Sequence, residues 1–187
     1  MSYTITSQCQ INDQQVILND NLLVQRAGEG DWLADIYHAI GMQYPKFFKM
    51  DNLCKAGTLA AELLLRDLDF DRENVKPDWA VILMNSASSL DDDRKYQQTI
   101  ADAENYYPSP AVFVYTLANI VTGEICIRHK IGGESSFYIF EQFDETQMHT
   151  FVQQAFASHP ELTHIICGWV DVDGDTMDVR MWLVVKV

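Results

Sequence analysis

The segment Asn85-Ser-Ala-Ser-Ser-Leu90 follows an uninterrupted apolar run from Trp79 to Met84. Small polar residues at the carboxyl end of a buried strand stand where open α/β sheets hold ligands, so Asn85, Ser86 and Ser88 are candidates for binding or hydroxyl chemistry. The same loop reads equally as a connection. Cys9, Cys54, Cys126 and Cys167 are scattered with no C-x-x-C pair, which predicts buried reduced thiols. His38, His129, His149, His159 and His164 show no metal-ligand spacing, and His149 and His159 read as solvated helix positions. His164 and Cys167, three apart in a strand, point to opposite faces and cannot form a nucleophile pair directly. Asp171-Val-Asp173-Gly-Asp175 has the acids of a calcium loop but Trp182 where its final Glu belongs, so a hairpin turn is expected and no metal. Gly132-Gly133 offers backbone N–H groups to an anion or, equally, a tight turn into a strand. Nucleotide-binding glycine loops and G-x-S-x-G are absent, and no cofactor is expected.

The elements that must position these groups follow from periodicity. Tyr3–Cys9 and Val16–Val24 read as strands. Asp31 and Asp51 read as N-caps of helices, the second with Leu53, Ala56, Gly57, Ala60, Leu63 and Leu64 along one face. Trp79–Met84 has the all-apolar pattern of a strand covered on both sides. Asp91 to Asp93 precede a predicted helix over Lys95–Ala103, Tyr106 to Pro110 reads as a turn, and Thr116–Lys130 is predicted as one helix. Ser136–Phe140 reads as a short strand, Asp144 starts a helix to about Ser158, and Thr163–Val170 with Met177–Val187 closes the chain as a hairpin. The order predicts an α/β fold, a three-layer αβα domain over 1–187 with a mixed five-stranded sheet.

With 187 residues and 48% hydrophobic content, the chain is long enough for one core and too short for two. Its net charge of −14, with no cluster of Lys and Arg, weighs against nucleic acid and anionic membranes. No apolar run reaches the ~20 residues of a membrane span, and no signal-peptide pattern opens the sequence. A cytoplasmic protein is expected.

Ser109-Pro-Ala-Val-Phe-Val-Tyr-Thr-Leu-Ala-Asn119, then Gly123-Glu-Ile-Cys-Ile127, then Gly132-Gly133, resembles the N-terminal half of β-ketoacyl-acyl-carrier-protein synthases. The likeness extends to the Leu53–Leu64 helix, the Trp79–Met84 strand, the Asn85–Ser89 loop and His164-Ile-Ile-Cys-Gly168, covering about residues 50 to 170. The resemblance implies one half of a thiolase-like fold, with Asn85, Ser86, Ser88, Phe113, Thr116 and Asn119 around a vestigial pocket. It also implies where a nucleophilic cysteine belongs: nine residues past Gly133 and 26 before Gly168, both of which land on Gln142. A glutamine cannot form an acyl thioester, so no catalytic residue is assigned. The family's two active-site histidines, in its C-terminal half, have no counterpart in these residues.

The replacement is similar to that in chain-length factors, non-condensing partners of active synthases in aromatic polyketide and aryl polyene systems. The resemblance therefore implies an accessory subunit with a full-length ketosynthase or an acyl-carrier protein as partner, and a strand near Ser136–Phe140 that pairs across a dimer axis; a short apolar edge strand is equally consistent with cover by a loop. An acyl-thioester enzyme using Asn85, Ser86 or Ser88, and an interaction domain without acyl chemistry, remain alternatives. The helix after Asp144 carries Met148, Phe151, Val152, Ala155 and Phe156 on one side and Glu145, Gln147, His149, Thr150, Gln153 and Gln154 elsewhere. That amphipathic pattern predicts a helix covering one sheet and facing water. On this reading Gln142→Cys yields no condensation product, assayed by mass with acyl and malonyl thioesters; turnover by that variant would overturn it.

Overall fold

The computed structural model describes residues 2–104 and 106–187. Seven strands, β1 (Tyr3–Asn12), β2 (Gln15–Leu18), β3 (Asn21–Gln25), β4 (Trp79–Asn85), β5 (Ser135–Ile139), β6 (His164–Asp173) and β7 (Thr176–Lys186), form one sheet in the order β3-β2-β1-β7-β6-β4-β5. β4 pairs in parallel with β5 and β6, and the remaining pairs are antiparallel. The mixed sheet is as expected, but it has seven strands rather than five. The Val16–Val24 stretch is a hairpin, turned at Asn19 (φ 49°) and Asp20 (φ 64°), the primed geometry that matches strand twist.

Helices are α1 (Trp32–Ala39), α2 (Asn52–Leu64), α3 (Leu90–Thr99), α4 (Pro110–Tyr115), α5 (Ile120–His129) and α6 (Glu145–Ser158). Asp31, Asp51 and Asp144 cap α1, α2 and α6 as predicted, each accepting from backbone N–H groups of the first turn. Two segments differ from expectation. The acids Asp91 to Asp93 lie inside the first turn of α3, not before it, where they complement the helix dipole. The predicted Thr116–Lys130 helix begins only at Ile120, because Ser109 and Pro110 start a separate helix, α4, and Thr116 Oγ1 donates back to the Phe113 carbonyl at its end.

Every residue of β4 is buried. The connection from β4 to β5 runs outward through α5, and that from β5 to β6 returns across β4 through α6. Right-handed crossovers running in opposite directions place their helices on opposite faces. Accordingly α1, α2 and α5 pack on one apolar cluster and α6 on another. Met148, Val152, Ala155 and Phe156 of α6 are buried, while Glu145, Gln153 and Gln154 face outward, as its pattern predicts.

A bulge at Thr6 in β1 sets one extra residue against β7, between the Ile5–Val184 and Ser7–Leu183 pairs. The extra residue reverses side-chain facing. Tyr3 therefore packs in the α6 cluster, while Cys9 and Ile11 belong to the other. Between α2 and α3 lies a buried carboxyl pair. Asp51 accepts from Leu53 N (3.2 Å) and Cys54 N (3.1 Å), and Asp92, 5% exposed, lies against it with Lys95 at 3.5 Å. Desolvation, then the Asp51 carboxylate, holds the Asp92 carboxyl well above the ordinary carboxylate range.

Gly168 of β6 has φ +149°, and a Cβ there would meet the Arg180 carbonyl of β7 at 2.1 Å. Gly168→Ala is expected to cost about 3 kcal/mol or more, read by denaturant unfolding. The Asp92 shift has a definite sign. Unfolded Asp92 loses its proton near pH 4 while the folded residue keeps it to higher pH, so stability falls as pH rises from about 4 through neutrality. Asp92→Asn should raise the melting temperature at pH 7.5 and flatten that dependence.

Candidate functional site

The expected pocket residues lie on elements that meet at the carboxyl end of β4. Asn85 is fully buried; its Oδ1 accepts from Ser88 N (3.0 Å) and its Nδ2 donates to the Ser88 carbonyl (2.8 Å). These bonds fold the loop tightly, with Ser88 in the left-handed region at φ 54°. Ser89 Oγ donates to the Thr116 carbonyl at 2.6 Å, which ties the loop to the end of α4. Phe140 N donates to the Asn85 carbonyl at 2.9 Å, which ties the segment after β5 to the same strand end. Gln142 lies two residues further on, exposed, in the connection before the Asp144 cap.

The donors of the Asn85–Ser89 loop are already used. Ser86 Oγ donates to Asp171 Oδ2 at 2.6 Å, and the Ser86 and Ala87 N–H groups both donate to Asp171 Oδ1 at 3.0 Å. A carboxylate of β6 thus occupies the place an external oxyanion would take. The sequence marks Asp171 only as an acid of the calcium-like hairpin; its role here was hidden because its partners lie 85 and 84 residues away. Phe113 is exposed beside Tyr96, with ring centroids 5.4 Å apart, and Asn119 is exposed at the cap position of α5 with its carbonyl bound by Thr122 Oγ1. Behind Gln142, Phe143 stacks on Trp182 (5.7 Å) and meets Trp169 edge-on, with the Arg180 guanidinium 5.2 Å from its ring centroid.

All four cysteines are free, and Cys9, Cys54 and Cys167 are buried as expected, whereas Cys126 on α5 is only partly buried. Burial pushes the Cys9 and Cys167 thiols up to about 12 and that of Cys126 to about 11; Cys54 is also raised well above the ordinary thiol range, by burial and then by Asp51. The thiolate required of a nucleophile is therefore not populated at neutral pH. His164 stacks on Trp79 at 4.1 Å, and its neighbours alternate between the two clusters, so it and Cys167 face opposite sides. Asp173 to Asp175 form the turn of the β6–β7 hairpin, and among the described residues no group of three or more His, Cys, Asp or Glu is placed to hold a metal. Gly132 and Gly133 donate to the Lys76 and Trp79 carbonyls, at 2.9 and 3.1 Å, so their amides bind the segment before β4 and its first residue rather than an anion. A Cβ on Gly133 would lie 2.3 Å from the Trp79 carbonyl; close approach explains that glycine.

No family model matches the sequence, and no curated protein matches it. Solved structures do. The ishigamide ketosynthase/chain length factor is matched with a TM-score of 0.75 at 15% identity, over 100% of this chain and 63% of the other. A ketosynthase in complex with its chain length factor, from Xenorhabdus doucetiae, is matched at 0.63 and 13% identity, over 100% of this chain and 80% of the other. A type II polyketide synthase acyl-carrier protein in complex with its hexaketide-bound ketosynthase gives 0.64 and 12% identity, over 98% of this chain and 62% of the other. The chain thus spans less than two thirds of the first of these. Its α/β fold, with a mixed sheet between helical layers, is that of the ketosynthase and chain-length-factor structures, as the sequence resemblance implied.

Proposed function

We propose that this chain is a non-condensing, ketosynthase-like subunit that pairs with a full-length ketosynthase in fatty acid, polyketide or aryl polyene type biosynthesis. The observation that carries this reading is β5. It ends the sheet, so one side of its backbone has no strand partner among the described residues. Yet Phe137 packs toward one apolar cluster and Tyr138 toward the other, the two-sided apolar pattern of an interior strand. An edge of this kind invites strand pairing, and nothing in its sequence blunts it: Ser135 to Ile139 hold no charge and no proline. Near the same strand end, Phe113, Val114 and Leu117 are 52%, 45% and 52% exposed, and α4 has no buried residue. These side chains add an apolar surface to the edge.

The lack of a thiolate and the closing of the Ser86–Ala87 amides by Asp171 support a partner role over catalysis. Gln142 in this reading stands where the nucleophile of an active synthase stands, with Asn85, Ser86, Ser88, Phe113, Thr116 and Asn119 as the remnant of its pocket. A ketosynthase is a better partner than a free acyl-carrier protein, because a net charge of −14 repels an acidic carrier over most of the surface. Four free thiols suit a cytoplasmic setting, and no described helix is long and apolar enough to cross a membrane.

Affinity purification of the tagged chain from its source cells at low salt, with partners identified by mass, tests the proposal. A stoichiometric ketosynthase is expected, and Ile139→Lys on the exposed end of β5 should reduce its recovery at least tenfold with the melting temperature unchanged. Recovery of the chain alone, as a monomer or a homodimer, would overturn it.

A further inference from the structure

At the end of the molecule away from Gln142, the carboxyl ends of α1, α2 and α5 surround a cavity of about 300 Å³. Arg66, Arg72 and Arg128 line it, three of the six arginines in a chain of net charge −14. Glu62 is the one acid on its wall. Arg72 Nη1 and Nη2 lie 3.2 and 2.8 Å from Glu62 Oε2 and Oε1, and Arg128 Nε and Nη2 lie 3.2 and 3.4 Å from the same two oxygens. Oε2 therefore accepts two hydrogen bonds, from Arg72 and Arg128, and Oε1 accepts one from Arg128 with the Arg72 guanidinium in ion-pair contact. Arg66 is exposed and makes no side-chain hydrogen bond among the described residues.

His129 adds an independent sign that donors here exceed acceptors. Its ring is fully buried, and Nδ1 faces Arg72 Nη1 at 3.4 Å. Arginine only donates, so Nδ1 accepts and the ring proton sits on Nε2. That N–H is the one buried side-chain polar atom without a partner among the described residues; Glu62 Oε2 is 3.9 Å away and already occupied. Burial, then Arg72, Arg128 and Lys76, lowers His129 to about 3, so the ring is neutral at physiological pH and does not neutralise Glu62. The helix ends offset part of the arginine charge, but none of their carbonyls accepts from these guanidinium groups.

We propose that this cavity binds the phosphate group of a small phosphate monoester, with Arg66, Arg72 and Arg128 as its donors and Glu62 as the internal carboxylate that holds the site when it is empty. Three guanidinium forks and one carboxylate leave a formal charge of +2, which suits a dianionic tetrahedral oxyanion better than a carboxylate. The cavity volume falls at the lower end of small-ligand sites. An entering phosphate competes with Glu62 for Arg72 and Arg128; a shift of about 1 Å brings the released carboxylate onto the waiting His129 Nε2–H. This site is separate from the β5 edge, so it stands or falls independently of the ketosynthase partner.

The test is NMR titration of the full chain with inorganic phosphate and with glycerol 3-phosphate at constant ionic strength, following the arginine Nε–H and His129 Nε2–H signals. Saturable shifts of the Arg72, Arg128 and His129 signals are expected with both probes. Tighter binding of glycerol 3-phosphate supports a monoester; equal or weaker binding overturns the monoester in favour of free phosphate. Arg66→Ala should weaken binding at least tenfold without touching the Glu62 cluster. Glu62→Gln, which removes the competing charge, should tighten it severalfold. Shifts that chloride reproduces, or an affinity that Arg66→Ala leaves unchanged, would overturn the site.

Discussion

A strand buried on both faces needs apolar cover above and below, and β4 obtains both covers from the two crossovers it anchors. The path out to β5 and the path back to β6 run in opposite directions, so right-handedness sends α5 to one side and α6 to the other. Everything near the candidate site depends on this arrangement. The loop after β4 emerges at the strand end where α4 and the segment after β5 also arrive, and hydrogen bonds from Ser89 to Thr116 and from Phe140 to Asn85 fasten the three together.

That strand end is closed from within. In a site built for acyl transfer, backbone N–H groups are left free to meet developing negative charge. Here a fixed aspartate of β6 already meets them, so the geometry that could stabilise an intermediate instead stabilises a loop. The loop beneath the exposed apolar α4 and the β5 edge, which has no strand partner among the described residues, is thereby held in one shape.

The sequence was legible where its signals are local. Asp31, Asp51 and Asp144 announce helices because an N-cap is a bond between a side chain and amides two or three residues later. The Trp79–Met84 run and the amphipathic stripe of α6 report their burial directly. Errors arose where two local signals compete. Asn19-Asp20 turns a chain that β propensity alone would extend through Val24, and Ser109-Pro110 starts a helix before the longer pattern at Ile120 begins. The candidate site was half legible: Asn85 and the serines follow from their place after an apolar strand, whereas the local pattern around Asp171 announces a hairpin turn and not its bond to a loop 84 residues away. The grouping of arginines around Glu62 was equally hidden, because Arg66 and Arg72, which follow α2, meet Arg128 only when the ends of α2 and α5 pack together.

The bulge at Thr6 has a consequence for cooperativity. Since it turns Tyr3 toward the α6 side while Cys9 and Ile11 face α1 and α2, a single strand is embedded in both apolar layers. Neither layer can dissolve without pulling on a backbone the other still holds. One unpaired residue thus acts as a rivet, and the sheet with its two coverings is made to melt as one unit rather than shed its helices one face at a time.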